Sequence, residues 1–210
     1  MHPEASRPST PKQAWEAMLK GNQRFVSGEP AHPRQDIDRR TALAEQQRPF
    51  AALFGCADSR LSAEIIFDVG LGDLFVVRNA GQVIAETILG SLEYSVEVLG
   101  VKLILVLAHD ECGAIRATID DTKGQMAASG KFIHELVAKI KPTVLEANRR
   151  GLTDIDDITT MHVEDTIHDM VTRSRVISDA IKSGKLAVVG ANYKLLEGEI
   201  HPIVVHGEIE

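Results

Sequence analysis

Val101-Lys102-Leu103-Ile104-Leu105-Val106-Leu107-Ala108 is apolar at every position but one. A strand with one face in water alternates apolar and polar residues. An unbroken apolar run is the pattern of a strand covered on both faces, as at the centre of a parallel sheet. Ala51 to Gly55 and Leu186 to Ala191 repeat that pattern, and Leu74 to Arg78 is a further strand-like run. Between these runs the apolar spacing changes to that of helices. Ile84, Ile88, Leu92, Val96 and Leu99 make one stripe, stopped by Gly100. Ile133, Leu136, Val137, Ile140 and Val144 make another within 132–150, where Pro142 is expected to kink or split the helix. Val163, Ile167, Met170, Ile177 and Ile181 predict a single helix over 159–183. The alternation predicts an α/β domain, a mainly parallel sheet of four strands flanked by helices and wound with right-handed crossovers. Ile200 to His206 adds a fifth strand. The short connection through Glu197-Gly198 makes it an antiparallel edge strand.

The remaining segments frame this domain. Residues 1–10 read as a disordered start. Residues 11–27 form an N-terminal helical arm with Ala14, Trp15, Met18 and Leu19 on one stripe. The arm lies outside the alternation, and either packs on its own domain or covers a neighbouring subunit. Asp36 to Gln47 is polar and weakly helical, and Ser62 is placed to cap a short helix. Gly70-Leu71-Gly72-Asp73 has only part of a phosphate-binding glycine pattern and precedes a strand instead of a helix, so it reads as a turn. The 210 residues suit one domain. The net charge of −7, from 23 basic and 30 acidic residues, argues against nucleic acid and anionic membranes as partners. No apolar run reaches the roughly 20 residues of a membrane helix. Met1 to Lys12 shows no apolar core of a secretory signal. Two cysteines make no disulfide framework, and a reducing cytoplasm suits them as thiolates.

Both cysteines stand at strand exits. Ala51 to Gly55 runs into Cys56-Ala57-Asp58-Ser59-Arg60, and Val101 to Ala108 runs into His109-Asp110-Glu111-Cys112. Packing needs none of these polar groups, and sites in parallel sheets form at the carboxyl ends of strands. Zinc favours sulfur and imidazole. His109 and Cys112, three apart, can face one point, and Cys56 from the first strand completes a set of three. Three protein ligands leave a fourth position open, the catalytic pattern, and a bound water there is acidified toward a pKa of ~7. Asp58 has two options: it can be an alternate fourth ligand in a closed state, or it can pair with Arg60, which keeps the site open. Protonation and local packing would set that switch. The other histidines, among them His134, His162 and His168, read as surface or satisfied core groups.

These paired motifs resemble the β-class carbonic anhydrases, in the plant-like and actinobacterial-like branch. The resemblance extends to Gly21-Asn22-Gln23-Arg24-Phe25, Phe75-Val76-Val77-Arg78-Asn79-Ala80-Gly81, Ser91-Leu92-Glu93-Tyr94 and Val188-Val189-Gly190-Ala191. It implies reversible hydration of CO2 to bicarbonate and a proton. It implies one Zn2+ per chain on Cys56, His109 and Cys112, with Asp58 and Arg60 as a catalytic dyad. It implies a substrate pocket of Gln47, Phe75 and Tyr94, the last from a partner subunit, in a homodimer or homotetramer; read as plain residues, Phe75 and Tyr94 are equally core and Gln47 surface. A bicarbonate regulatory site found in some members has tryptophan where Leu53 stands here. Arg78 and Tyr193 match its other members, so the set is incomplete. Ala108 and Asp110 replace a common glycine and a common hydroxyl residue beside the ligand His109. Hydrolysis of CS2 or COS on the same scaffold, and a non-catalytic zinc module closed by Asp58, are the competing readings.

Overall fold

The computed structural model describes residues 7–209. The disordered start expected for 1–10 falls, for residues 1–6, outside the described residues. Five strands form one sheet: β1 (Ala51–Cys56), β2 (Leu74–Asn79), β3 (Leu103–His109), β4 (Ala187–Tyr193) and β5 (Ile200–His206). Their order is β2-β1-β3-β4-β5. The first four are parallel in register, and β5 runs antiparallel to β4. This is the α/β architecture that the unbroken apolar runs predict. Every residue of β1, β3 and β4 is buried.

The period of two along each strand divides the core between the faces. Leu103, Leu105 and Leu107 pack with Leu53, Val189 and helices α1 (Pro11–Val26), α3 (Ala63–Ile66), α5 (Gly113–Thr122) and α6 (Lys131–Arg149). Ile104 and Val106 pack with Phe54 and Val188 against α4 (Glu86–Glu97), α7 (Ile155–Arg173) and α8 (Arg175–Lys182). A short helix, α2 (Ile37–Ala42), lies in the connection before β1.

α1 packs on its own chain. Thr10 caps it, accepting from the Gln13 N–H, and Ala14, Trp15 and Met18 enter the core. Asn22 fastens its far end. Its amide donates to the carbonyls of Ile66 (3.2 Å) and Gly198 (2.8 Å), and its oxygen accepts from the Ile200 N–H (3.2 Å).

One helical expectation is corrected, and of the two outcomes expected at Pro142 the split is not found. The helix predicted over 159–183 is two helices, broken at Ser174, whose backbone is extended at φ −101° and ψ 108°. Ser174 caps α8 through the Ile177 N–H and donates to Glu93 on α4 at 2.6 Å, so a tertiary contact fixes the break. Conversely, α6 runs unsplit through Pro142. Val137, Ile140, Val144 and Ala147, buried on both sides of the proline, hold it against the core despite the missing hydrogen bond.

Candidate metal centre

β1 and β3 are adjacent and parallel, with Gly55 beside Leu107, so their last residues, Cys56 and His109, emerge at one edge. After His109 the chain turns through Asp110 and Glu111, the latter in the left-handed region at φ 53°. Two bonds tie this turn to the end of β4: the Asp110 N–H donates to the Tyr193 carbonyl (3.3 Å), and the Leu195 N–H to the Asp110 carboxylate (3.0 Å). Asp110 therefore supports the ligand loop. The turn delivers Cys112 to the N-cap of α5, where the helix dipole favours a thiolate.

One ligand atom from each of Cys56, His109 and Cys112 lies within 4.8 Å of the others, and all three residues are buried. Neither cysteine is in a disulfide. The His109 imidazole is fully buried with no hydrogen-bond partner on either ring nitrogen. A buried polar group without a partner costs about 1–3 kcal/mol, and a metal ion on the imidazole removes part of that cost. Two sulfurs and an imidazole at this spacing fit zinc.

The electrostatics fit a metal site as well. Pairing with the Cys112 thiol is the main cause that lowers the Cys56 pKa to about 4, the Gly81 N–H assists, and burial opposes. The same pairing, together with burial, pushes the Cys112 thiol up. The Gly81 N–H lies 3.4 Å from Cys56 Sγ.

Asp58 is held by Arg60. Arg60 Nε and backbone N–H each donate to Asp58 Oδ1 at 2.9 Å, and Nη2 donates to Oδ2 at 2.7 Å. The Arg60 fork holds the Asp58 carboxyl well below the usual carboxylate range and raises the guanidinium in turn. Asp58 Oδ2 still lies 3.8 Å from His109 Nε2. The carboxylate thus stands between the fork and the ligand cluster, and this geometry lends no support to a tetrahedron closed by Asp58. Arg78 clamps the same turn from β2, with Nε on the Cys56 carbonyl (2.9 Å) and Nη2 on the Asp58 carbonyl (2.6 Å).

The residues expected to line the substrate pocket lie elsewhere in the chain. Phe75 pairs in register with Ala52, and Cys56 with Asn79, so Phe75 sits four residues, about 13 Å, back along the strands. It also packs on the opposite face, with Ala52 and Phe54, whereas Cys56 and Cys112 belong to the other. Tyr94 lies against Phe75, ring centroids 6.1 Å apart, and is 45% exposed. Gln47 is exposed before the start of β1. Phe75 and Tyr94 are therefore together, at a distance from the Cys-His-Cys cluster of their own chain. Of the regulatory set, Leu53 is core.

His162 is the satisfied core histidine that its sequence position suggests, but neither its contact with Gly81 nor that of Gly81 with Cys56 was legible. Gly81, at φ 71°, supplies the N–H to Cys56, and His162 reaches it from α7. A glycine in the Asn79-Ala80-Gly81 loop was a signal for an unusual turn; nothing in the sequence tied it to Cys56.

A family model described as carbonic anhydrase matches residues 51–200. The chain belongs to the β-carbonic anhydrase family of enzymes. Carbonic anhydrase of Mycolicibacterium smegmatis is 46% identical over 192 residues, covering 91% of this chain and 93% of that protein. Carbonic anhydrase 2 of Mycobacterium tuberculosis is 48% identical over 190 residues, covering 90% and 91%. Among solved structures, a tetrameric β-carbonic anhydrase from Sordaria macrospora superposes with a TM-score of 0.73 at 24% identity, covering 92% of this chain and 98% of its own. The β-carbonic anhydrase CcaA gives 0.70 at 21%, covering 92% and 99%. At these identities the carbonic anhydrase structures support the shared fold alone.

Proposed function

We propose that this carbonic anhydrase hydrates CO2 reversibly to bicarbonate and a proton, with one zinc ion per chain held by Cys56, His109 and Cys112. The observation that carries the reading is the convergence of two sulfurs and an unpartnered imidazole within 4.8 Å, at the sheet edge. Zinc held there supplies the Lewis acidity that makes water a nucleophile at neutral pH. Arg60 keeps Asp58 from serving as a further ligand. Asp58 Oδ2, facing His109, accepts a hydrogen bond from the attacking water and so aims its lone pair at CO2. Arg60 holds Asp58 as a carboxylate, so it faces that water as an acceptor.

The substrate pocket is completed by a second copy of the chain. Phe75 and Tyr94 are far from their own ligand cluster, partly exposed, and carried by or beside β2, an edge strand. Across an interface their rings wall an apolar pocket suited to CO2, and the Gln47 amide donates to oxygen as charge develops. Ligand thiols must stay reduced, which favours the cytoplasm as the compartment.

Stopped-flow CO2 hydration with a pH indicator tests the proposal. Stripping zinc with a chelator is expected to abolish activity and stoichiometric zinc to restore it. Full activity in completely stripped protein would overturn it.

A further inference from the structure

His162 is a buried, ionisable side chain that the reaction above leaves idle. It lies on α7 between Met161 and Val163 and is 4% exposed. Its ring Nε2 is 2.8 Å from the carbonyl of Gly81, 81 residues away in sequence. A carbonyl only accepts, so Nε2 carries the proton and donates. Burial lowers the pKa of this imidazole and keeps it neutral.

Gly81 is also the residue whose N–H donates to Cys56 Sγ. It sits at φ 71° and ψ 18° in the 3-10 turn Ala80–Gln82. Without a Cβ it turns easily about both backbone bonds. Its carbonyl is buried, and a buried carbonyl deprived of its donor rotates to find another. The carbonyl belongs to the 81–82 peptide and the N–H to the 80–81 peptide, so the loss would reach the sulfur through a joint change in the φ and ψ of Gly81.

We propose that His162 is a positioning residue for the metal centre: by pinning the Gly81 carbonyl it holds the Gly81 N–H on the sulfur of Cys56. The inference rests on the zinc reading above and adds a residue outside the ligand set. A hydrogen bond to a ligand sulfur withdraws charge from it and orients it. Groups that support ligands in this way change metal affinity by roughly 10- to 100-fold when removed.

The test compares wild type, His162→Leu and His162→Gln, since the glutamine amide places an N–H donor near the position of Nε2. Zinc affinity is measured by competition with a chelator. Cobalt-loaded protein reports the sulfur-to-metal charge-transfer band, and circular dichroism of the metal-free form reports folding. His162→Leu is expected to weaken zinc roughly 10- to 100-fold and to shift the band, and His162→Gln to restore both. A folded His162→Leu protein with wild-type zinc affinity and band position overturns the inference, as does a folded His162→Gln protein that restores neither. If His162→Leu does not fold, cadmium-113-loaded wild type decides by NMR. Scalar coupling between the Gly81 amide proton and the metal through Cys56 Sγ is expected, and its absence overturns the inference. Failure of wild type to bind any metal would instead sink the zinc reading.

Discussion

Gly81→Ala puts the cradle around Cys56 under a load that can be worked out from the structure. At φ 71° a side chain costs about 1–2 kcal/mol, because Cβ crowds the following carbonyl. The added Cβ would also lie 2.8 Å from the Ala114 Cβ and 2.9 Å from the Ile140 Cδ1. The Ile140 methyl ends a flexible side chain and can move aside. The Ala114 Cβ is fixed to the first turn of α5, so relief there shifts backbone; overpacking of this sort costs about 1–3 kcal/mol. Alanine stiffens the unfolded chain, which offsets about 0.4–1 kcal/mol. The expected net loss is about 1–5 kcal/mol, read by urea unfolding of the metal-free protein as a lower midpoint with an unchanged slope. Ala114→Gly in the same chain removes the closer contact, so a double-mutant cycle should show favourable coupling of about 1 kcal/mol or more. A loss below 1 kcal/mol, or no coupling to Ala114, refutes the description of this turn.

Metal-free protein at pH 7 should carry one thiolate, not two, by absorbance near 240 nm, because Cys56 is lowered to about 4 while Cys112 is raised. Cys56 gives up its proton more readily folded than unfolded, so its contribution to stability is complete above the unfolded pKa of ~8.5 and disappears as pH falls through about 4; zero or two thiolates at neutral pH contradict this pairing. Asp58→Asn should leave zinc content intact and slow hydration by roughly 100-fold or more, as loss of a positioned proton acceptor does; zinc-loaded protein with unimpaired turnover removes Asp58 from the mechanism. Mixing inactive Cys56→Ala and Tyr94→Ala chains should restore activity, because a mixed dimer pairs an intact ligand set with an intact partner tyrosine at about a quarter of all sites; no recovery in verified mixed dimers places Tyr94 outside a shared pocket.

The sheet was legible because β1, β3 and β4 are buried on both faces, so their sequences carry no compromise with solvent. The clustering of Cys56, His109 and Cys112 was legible for a related reason: they interrupt those runs where packing alone asks for no such chemistry, and the structure brings them within 4.8 Å. Contacts between distant segments left no such trace. Ser174 breaks a well-patterned helix because of Glu93, 81 residues earlier, and His162 sits on a helix with its hydrogen bond in another element. Arg78 matched a regulatory position in the sequence, yet it clamps the Cys56–Asp58 backbone. Periodicity gives the face of a strand, so Phe75 was legible as inward or outward, but not as remote from the cluster that its own chain builds.

X-ray absorption at the zinc edge, on protein with its metal content measured, tests the central claim most directly. One zinc per chain is expected, with two sulfur neighbours at about 2.3 Å, one imidazole nitrogen at about 2.0–2.1 Å and a single light atom completing four-coordination. Zinc bound with fewer than two sulfurs, or purified active protein without zinc, contradicts it.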